Sequence, residues 1–500
     1  MCHCHQKSVS RKASLAIKKP LEFRVKFRVL GHACLEVTSN SRQLLCDPWL
    51  VGSCYWRSWW NYPPVPDGLV ETLKPDFIYL THMHWDHFHG PTLRRLGLDM
   101  HMLVPKTPDR RIYEDLKAIG CTRITELVHG KPYQIGPDFQ ITSYQFGHFP
   151  DSALVIEADG KTILNANDCK IMGAPLKQIL ERHSNIDFVL RSHSSANARL
   201  CFDIVDRGGA HIDNPEKYSA EFADFARAVR AKYAIPFASN NCYLHPETEQ
   251  FNRYLNLGID VKRYFEAHGI TEPECVVCAP GDGWNDDLGF TLTDKDWYTN
   301  IDEHLTRYKE ANSDALKKSA QQEARAVLTD TIMARYASEL LSGTPSFVRR
   351  LFRGKPITLV AHSAAGDTAY ELDIFGRKWR KLNAWNDNDN PIQIHASASV
   401  FIMCVKQVNW NSLGISKRVR FRVKDEDKKI VTYFTELNDL FDCEVLPLSK
   451  SLNPRFVGVW LRRWRELALY LRIAADLGRG REFAYRNYLP LIRARSGALH

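Results

Sequence analysis

His82, His84, Asp86 and His87 fall within six residues, in the stretch Thr81-His-Met-His-Trp-Asp-His-Phe-His-Gly90. Imidazole and carboxylate are the donors that hold divalent cations. In an extended loop His82 and His84 project to the same side, as alternate side chains do, whereas the adjacent Asp86 and His87 diverge. One loop can therefore offer two ligands to one metal and two to a second, at the ~3.5 to 4 Å usual in two-metal sites. A surface histidine cluster is the bland alternative, but four donors directly after an apolar run argue for metal. Such ions bring the pKa of bound water towards ~7 and polarise a scissile group.

The loop needs a rigid element to start from. Residues 77–80 read as a short buried strand, which requires cover on both faces. Alternation of Phe23, Val25, Phe27 and Val29 with Glu22, Arg24, Lys26 and Arg28 predicts a half-buried strand, continued by a second over 31–37. A third, 44–49, ends at Pro48. The loop holding Trp56, Trp59, Trp60, Tyr62, Pro63, Pro64 and Pro66 is a wall or lid, or else an apolar cluster capping the sheet. Helices are expected over 91–98, with Pro91 in the first turn, and 111–119. Further strands are expected at 102–104, 139–144, 153–156, 162–164 and 188–190. This mixture implies a layered α/β architecture.

The motif His82-x-His84-x-Asp86-His87 resembles the HxHxDH signature of the metallo-β-lactamase superfamily, which implies an αββα sandwich with a dinuclear metal site along one edge. The resemblance implies further ligands. His148, in Phe146-Gly-His-Phe149, matches the third ligand of the first metal, and Asp168, after the strand at 162–164, matches the bridging carboxylate. His193 and His245 both qualify by position for the last histidine. Residues 81–93, 153–168 and Ile235-Pro-Phe-Ala238 with His245-Pro246 are also similar to the catalytic part of CMP-N-acetylneuraminate hydroxylases, over about 25–255. That likeness favours His245. On this reading His82, His84 and His148 hold one metal, Asp86, His87 and His245 the other, and Asp168 bridges, with Asp86 and Asp168 as the catalytic carboxylates. Those hydroxylases also carry a Rieske domain, whose cluster needs two separated Cys/His pairs. Cys2-His3-Cys4-His5 offers one group, so hydroxylation here would require an external reductase.

Among 500 residues, 44% are hydrophobic, ample for packed cores, and the net charge of +9 favours anionic partners only mildly. Thirteen cysteines without regular spacing fit a reducing cytoplasm better than a disulfide framework. No export signal and no run of ~18 apolar residues is visible. Cys275 and Cys278 lack the second half of a zinc site and read as buried strand cysteines. His32, His89 and Lys170 flank the ligand segments and could serve proton transfer or support.

The expected organisation is a basic tail over 1–20, a metallo-β-lactamase-like catalytic domain over 21–290, a helical linker over 291–349 that includes a helix at 314–338, a smaller α+β domain over 350–450, and a basic helical segment over 451–500. Short alternating runs and Trp410 give the fourth part a resemblance to sterol-carrier-type modules. The last segment, helical over 456–477, either docks on the body with its arginines reaching water or makes peripheral contact with an anionic membrane. No nucleic-acid motif is present. The expected function is a metal-dependent hydrolase with two divalent ions, zinc first and iron or manganese as alternatives, acting on an anionic phosphoester or nucleotide-like small molecule. A di-iron oxygenase and a metal-stabilised binding protein are the rivals.

Overall fold

The structure is a computed structural model that describes residues 25–147, 149, 151–194, 196, 198–207, 214–293, 296–407, 409–479 and 483–490. His148 and the tail over 1–20 lie outside the described residues.

Two sheets face one another. The eight-stranded sheet runs Gly289–Thr291, Gly283–Asn285, Val25–Val29, Leu35–Ser39, Arg42–Cys46, Phe77–Tyr79, His101–Pro105, Arg123–Leu127. The seven-stranded sheet runs Glu274–Cys275, Tyr233–Phe237, Phe188–Ser192, Lys161–Asn167, Asp151–Ala158, Phe139–Phe146, Pro132–Gly136. Their facing side chains, among them Phe27, Val37, Ile141, Ile156, Ile163 and Phe188, form one core. Alternation in Val25–Val29 puts Val25, Phe27 and Val29 into it and leaves Lys26 and Arg28 half-buried. Helices cover both outer faces: Leu93, Ile112 and Leu116 close one, Leu176, Phe222 and Phe265 the other. This is the αββα sandwich that the motif implied.

The second strand begins only at Leu35, because residues 30–34 turn back on themselves with Leu30 N–H donating to Cys34 O at 2.8 Å. The helix expected over 314–338 is two, Ser313–Glu323 and Asp330–Gly343. Beyond them, a six-stranded sheet runs Phe202–Ile204, Arg420–Val423, Ile392–Ser397, Ile357–His362, Thr368–Asp373, Lys378–Leu382. Its first strand comes from the sandwich half of the chain. Ile357, Leu359, Ile394, Phe401, Trp410 and Phe434 form its core.

The C-terminal run is also broken, into Pro454–Arg462 and Trp464–Gly478. Leu469 of the second helix packs into the core beside Leu176, while Leu461, Trp464 and Leu471 face outward. At the break, Arg463 turns inward and is fully buried against Glu466. No described helix is long and apolar enough to cross a membrane.

Candidate metal centre

The donors collect where strands of both sheets end. Phe77–Tyr79 leads into the His82–His87 loop, Arg42–Cys46 into Asp47, and Lys161–Asn167 into Asp168. Asp47, Asn167 and Ala238 each follow or end a strand with positive φ, at 44°, 37° and 48°. For non-glycine residues that is strained backbone, of the sort that collects at functional sites. At Asn167 the strain is offset by side-chain bonds: Nδ2 donates to Ser152 O at 2.9 Å and Oδ1 accepts from Asp168 N–H at 2.6 Å.

The structure brings His82, His84, Asp86, His87 and Asp168 together. His82 Nε2 lies 2.7 Å from His84 Nδ1, and His87 Nε2 lies 3.2 Å from Asp168 Oδ2 and 3.6 Å from Asp86 Oδ2. Within 4.8 Å of one another stand three sets of donor atoms: His82, His87 and Asp168; His82, His84 and Asp151; His32, Asp86 and His87. Asp151 and His32 were not among the expected ligands. Asp151 opens the strand Asp151–Ala158, a lone carboxylate that only the fold places beside His82, at 3.7 Å. His32 Nε2 is 3.0 Å from Asp86 Oδ2, and Tyr55 OH donates to the other oxygen, Oδ1, at 2.5 Å.

Supporting bonds fix which nitrogens point inward. Thr81 Oγ1 donates its one proton to Asp47 Oδ2 at 2.7 Å, so towards His82 Nδ1, at 3.0 Å, it can only accept. That leaves the His82 proton on Nδ1 and a lone pair on Nε2. Asp47 Oδ2 likewise accepts from His87 Nδ1 at 2.9 Å and leaves Nε2 towards Asp86 and Asp168. Carboxylate or hydroxyl partners on the outer nitrogen are the usual support of ligating imidazoles. His84 Nε2 lies 2.6 Å from Asn411 Oδ1, and the Phe149 ring stacks on His84 at 4.8 Å.

The electrostatics favour a cation. Burial, together with the neighbouring histidines, holds His82 well below its ordinary pKa, and burial lowers His84. Burial opposes charge on His87 too, yet Asp86 and Asp47 raise it well above the ordinary value. A proton there occupies the side of the ring that a metal ion would replace. Burial and the Asp168 charge push Asp151 up to about 7. Four carboxylates, Asp47, Asp86, Asp151 and Asp168, thus share one buried space.

His193 and His245 part company. His193 is buried with the Phe237 backbone as its one hydrogen-bonding neighbour, and its other nitrogen, like Asp151 Oδ1, has no partner, an arrangement a metal ion would satisfy. Burial lowers His193 to about 3, and its charged surroundings include His32, Lys170 and Asp168. The structure instead places His245 by Arg418 and Glu247, and its Nδ1 accepts from Glu247 N–H at 3.2 Å. The His-Pro likeness that favoured it marks a turn, where His245 O accepts from Thr248 and Glu249 N–H. Arg418, fully buried, reaches this turn from the C-terminal unit and pairs with both Glu247 and Glu323.

The aromatic loop forms a wall. Trp59 lies 5.9 Å from His32 by ring centroids, and Tyr55 stacks on Trp85 at 5.8 Å. A cavity of about 30 Å³ bordered by Asp168, Trp59, Ser239, Tyr243 and Phe251 gives room for water next to the donors. Lys170 is exposed and donates to Ser192 Oγ at 3.1 Å. A cleft of about 1130 Å³ lies behind the loop against Met83, Trp85 and His89, and none of His82, His84, Asp86 or His87 lines it. Cys275 and Cys278 are buried and form no disulfide.

Residues 42–237 match the model of the beta-lactamase superfamily domain. The cytidine monophosphate-N-acetylneuraminic acid hydroxylase of Cricetulus griseus is 32% identical over 293 residues, which cover 54% of this chain and 49% of the relative. That of Mus musculus is 32% identical over 153 residues, covering 29% and 26%. The chain thus spans about a quarter to a half of these relatives' length. Among solved structures, isothiocyanate hydrolase from Delia radicum gut bacteria aligns with a TM-score of 0.40 at 18% identity, covering 53% of this chain and 100% of that one. Together with the αββα architecture, the match over 42–237 makes this part of the chain a β-lactamase superfamily domain with the metallo-β-lactamase fold.

Proposed function

We propose that the chain is a dinuclear metal-dependent hydrolase acting on an anionic small molecule, with a phosphoester or nucleotide-like group as the substrate class. The observation that carries it is the convergence of His82 Nε2, His84 Nδ1, His87 Nε2 and the Asp86 and Asp168 carboxylates on one buried space. His82, His84 and His148 would hold one ion, with Asp151 beside them; Asp86, His87 and His193 would hold the other, and Asp168 would lie between. His193 takes the place first given to His245 because it is buried with a ring nitrogen that lacks a partner in the protein. Bound ions supply an acidified water and polarise the scissile group. The protein's own part is to hold the donors: Tyr55 and His32 grip Asp86 from two sides, Asp47 and Thr81 orient His82 and His87, and Trp59 and Tyr55 wall the space. Lys170, near Asp168, supplies a positive charge for an anionic substrate. Hydrolysis needs only water as co-reactant.

A second reading, a di-iron oxygen-dependent hydroxylase fed by an external reductase, has two supports. Each of the three donor sets holds two histidines and one carboxylate, the composition of non-haem iron oxygenase sites, and the curated relatives carry the hydroxylase name. Anaerobic purification, metal quantification and an oxygen-uptake assay separate the readings. Zinc with turnover independent of oxygen is expected. Reducible iron with substrate-linked oxygen consumption would sink the hydrolase in favour of the second reading. Metal-depleted protein that still turns over would exclude both.

A further inference from the structure

The six-stranded C-terminal unit reaches the metal centre through Asn411, at the start of the helix Asn411–Ser416. Its Oδ1 lies 2.6 Å from His84 Nε2, and its Nδ2 donates to Asp439 Oδ2 at 3.0 Å. A carboxylate can only accept, so Asp439 takes the NH2 side of the amide and turns the carbonyl towards His84. An amide oxygen also only accepts. The His84 proton therefore sits on Nε2, and the lone pair sits on Nδ1, the nitrogen that faces His82 Nε2 at 2.7 Å. Those two facing nitrogens are both acceptors, an arrangement that a cation between them resolves.

The helix that carries Asn411 is pinned at both ends. Asp442 Oδ2 accepts from the N–H of Trp410 at 2.6 Å and of Asn411 at 3.3 Å. At the other end Ser58 Oγ donates to Ser416 O at 2.6 Å, and Trp59 Nε1 donates to Ile415 O at 3.0 Å. Ser58 and Trp59 belong to the aromatic wall of the site, so the helix is held against the sandwich on one side and to the C-terminal core on the other.

We propose that Asn411 is a positioning residue of the metal centre, through which the C-terminal unit sets the tautomer and ring orientation of His84. The inference rests on the reading of His82 and His84 as metal ligands. Loss of such a partner from a ligating imidazole typically weakens metal binding about 10- to 100-fold.

Two substitutions separate positioning from simple packing. Asn411→Leu and Asp439→Ala both break the bond between residues 411 and 439, but only the first removes the acceptor from His84. The measurement is zinc, and anaerobically ferrous iron, retained by the full chain against graded chelator, alongside the melting temperature of the metal-free protein. Asn411→Leu should bind about 10- to 100-fold more weakly than wild type, while Asp439→Ala, which keeps the acceptor and loses only what orients it, should lose clearly less. Asn411→Asp combined with Asp439→Asn, which keeps an acceptor towards His84 and a donor between the two residues, should stay close to wild type, and it decides the matter if the leucine variant does not fold. Unchanged affinity in Asn411→Leu, equal losses in Asn411→Leu and Asp439→Ala, or lost affinity in a folded double variant would each overturn the proposal. Wild-type protein that retains neither metal would overturn the metal reading itself, an outcome distinct from the other three.

Discussion

Arg463 and Glu466 clamp the backbone of Gly147 from both sides. Arg463 Nη2 donates to Gly147 O at 2.6 Å, Glu466 Oε1 accepts from Gly147 N–H at 2.8 Å, and the two side chains bond each other at 2.8 Å out of contact with solvent. The residue so held precedes His148. Removing one partner strands the other charge in the interior, which costs about 3–5 kcal/mol, whereas replacing both by apolar residues can be nearly neutral. Arg463→Ala should therefore lower unfolding stability by that amount, and Arg463→Met with Glu466→Leu by clearly less. Chemical denaturation of the metal-free protein checks the order.

His193 and His245 give opposite expectations for metal content. His193→Ala should reduce bound metal towards one ion per chain, because one of its buried nitrogens lacks a partner and Asp168 and His32 are among its charged neighbours. His245→Ala should leave metal content unchanged and act on stability through the Arg418 cluster. Elemental analysis of the two purified variants distinguishes them, and the reverse result would restore His245 to the site.

Metal binding should stabilise the fold. With Asp47, Asp86, Asp151 and Asp168 sharing a buried space, removal of the ions leaves mutual repulsion that protonation of His87 only partly relieves. Zinc at ~100 times its dissociation constant should add about 2.7 kcal/mol to unfolding, and at ~1,000 times about 4.1 kcal/mol. Thermal melts across a zinc titration read this directly. A melting temperature independent of zinc would count against a metal site in the native state.

Asp442, which holds the N–H groups of Trp410 and Asn411, predicts a pH effect of its own. Burial raises its pKa to about 6, above the ~3.9 of an unfolded chain. The folded state thus holds the proton more tightly, so this contribution to stability is complete below about pH 3.9 and is lost as pH rises through about 6. The difference amounts to about 3 kcal/mol. Relative to wild type, Asp442→Asn should gain stability progressively from pH ~4 to ~7 and then level off. Melting profiles of the pair at several pH values test the sign.

What could be read along the chain was what depends on neighbours in sequence. Period-two alternation located Val25–Val29, and the crowding of His82, His84, Asp86 and His87 located the loop. Asp168 was singled out by the resemblance, which expects a carboxylate after a strand, and it does follow Lys161–Asn167. Asn411, by contrast, meets His84 across 327 residues, and nothing in its own neighbourhood announces a histidine partner. Asp151 carries no motif and matters only because the strand it opens ends beside His82. The break at Arg463 was hidden for a similar reason. Its apolar spacing continues through the break, and only the inward turn of the guanidinium to Gly147 ends the first helix.

The strand Phe202–Ile204 pairs in parallel with Arg420–Val423, as the outer member of a sheet otherwise built from residues after 350. A stop codon placed before the C-terminal unit would orphan that strand and strip the cover from its Phe202–Phe421 contact, where the rings lie 5.0 Å apart. An open edge of this kind invites pairing between molecules. The two halves are therefore not modules that recombination could exchange like cassettes. A truncated gene product should accumulate as inclusion bodies rather than as a smaller working enzyme.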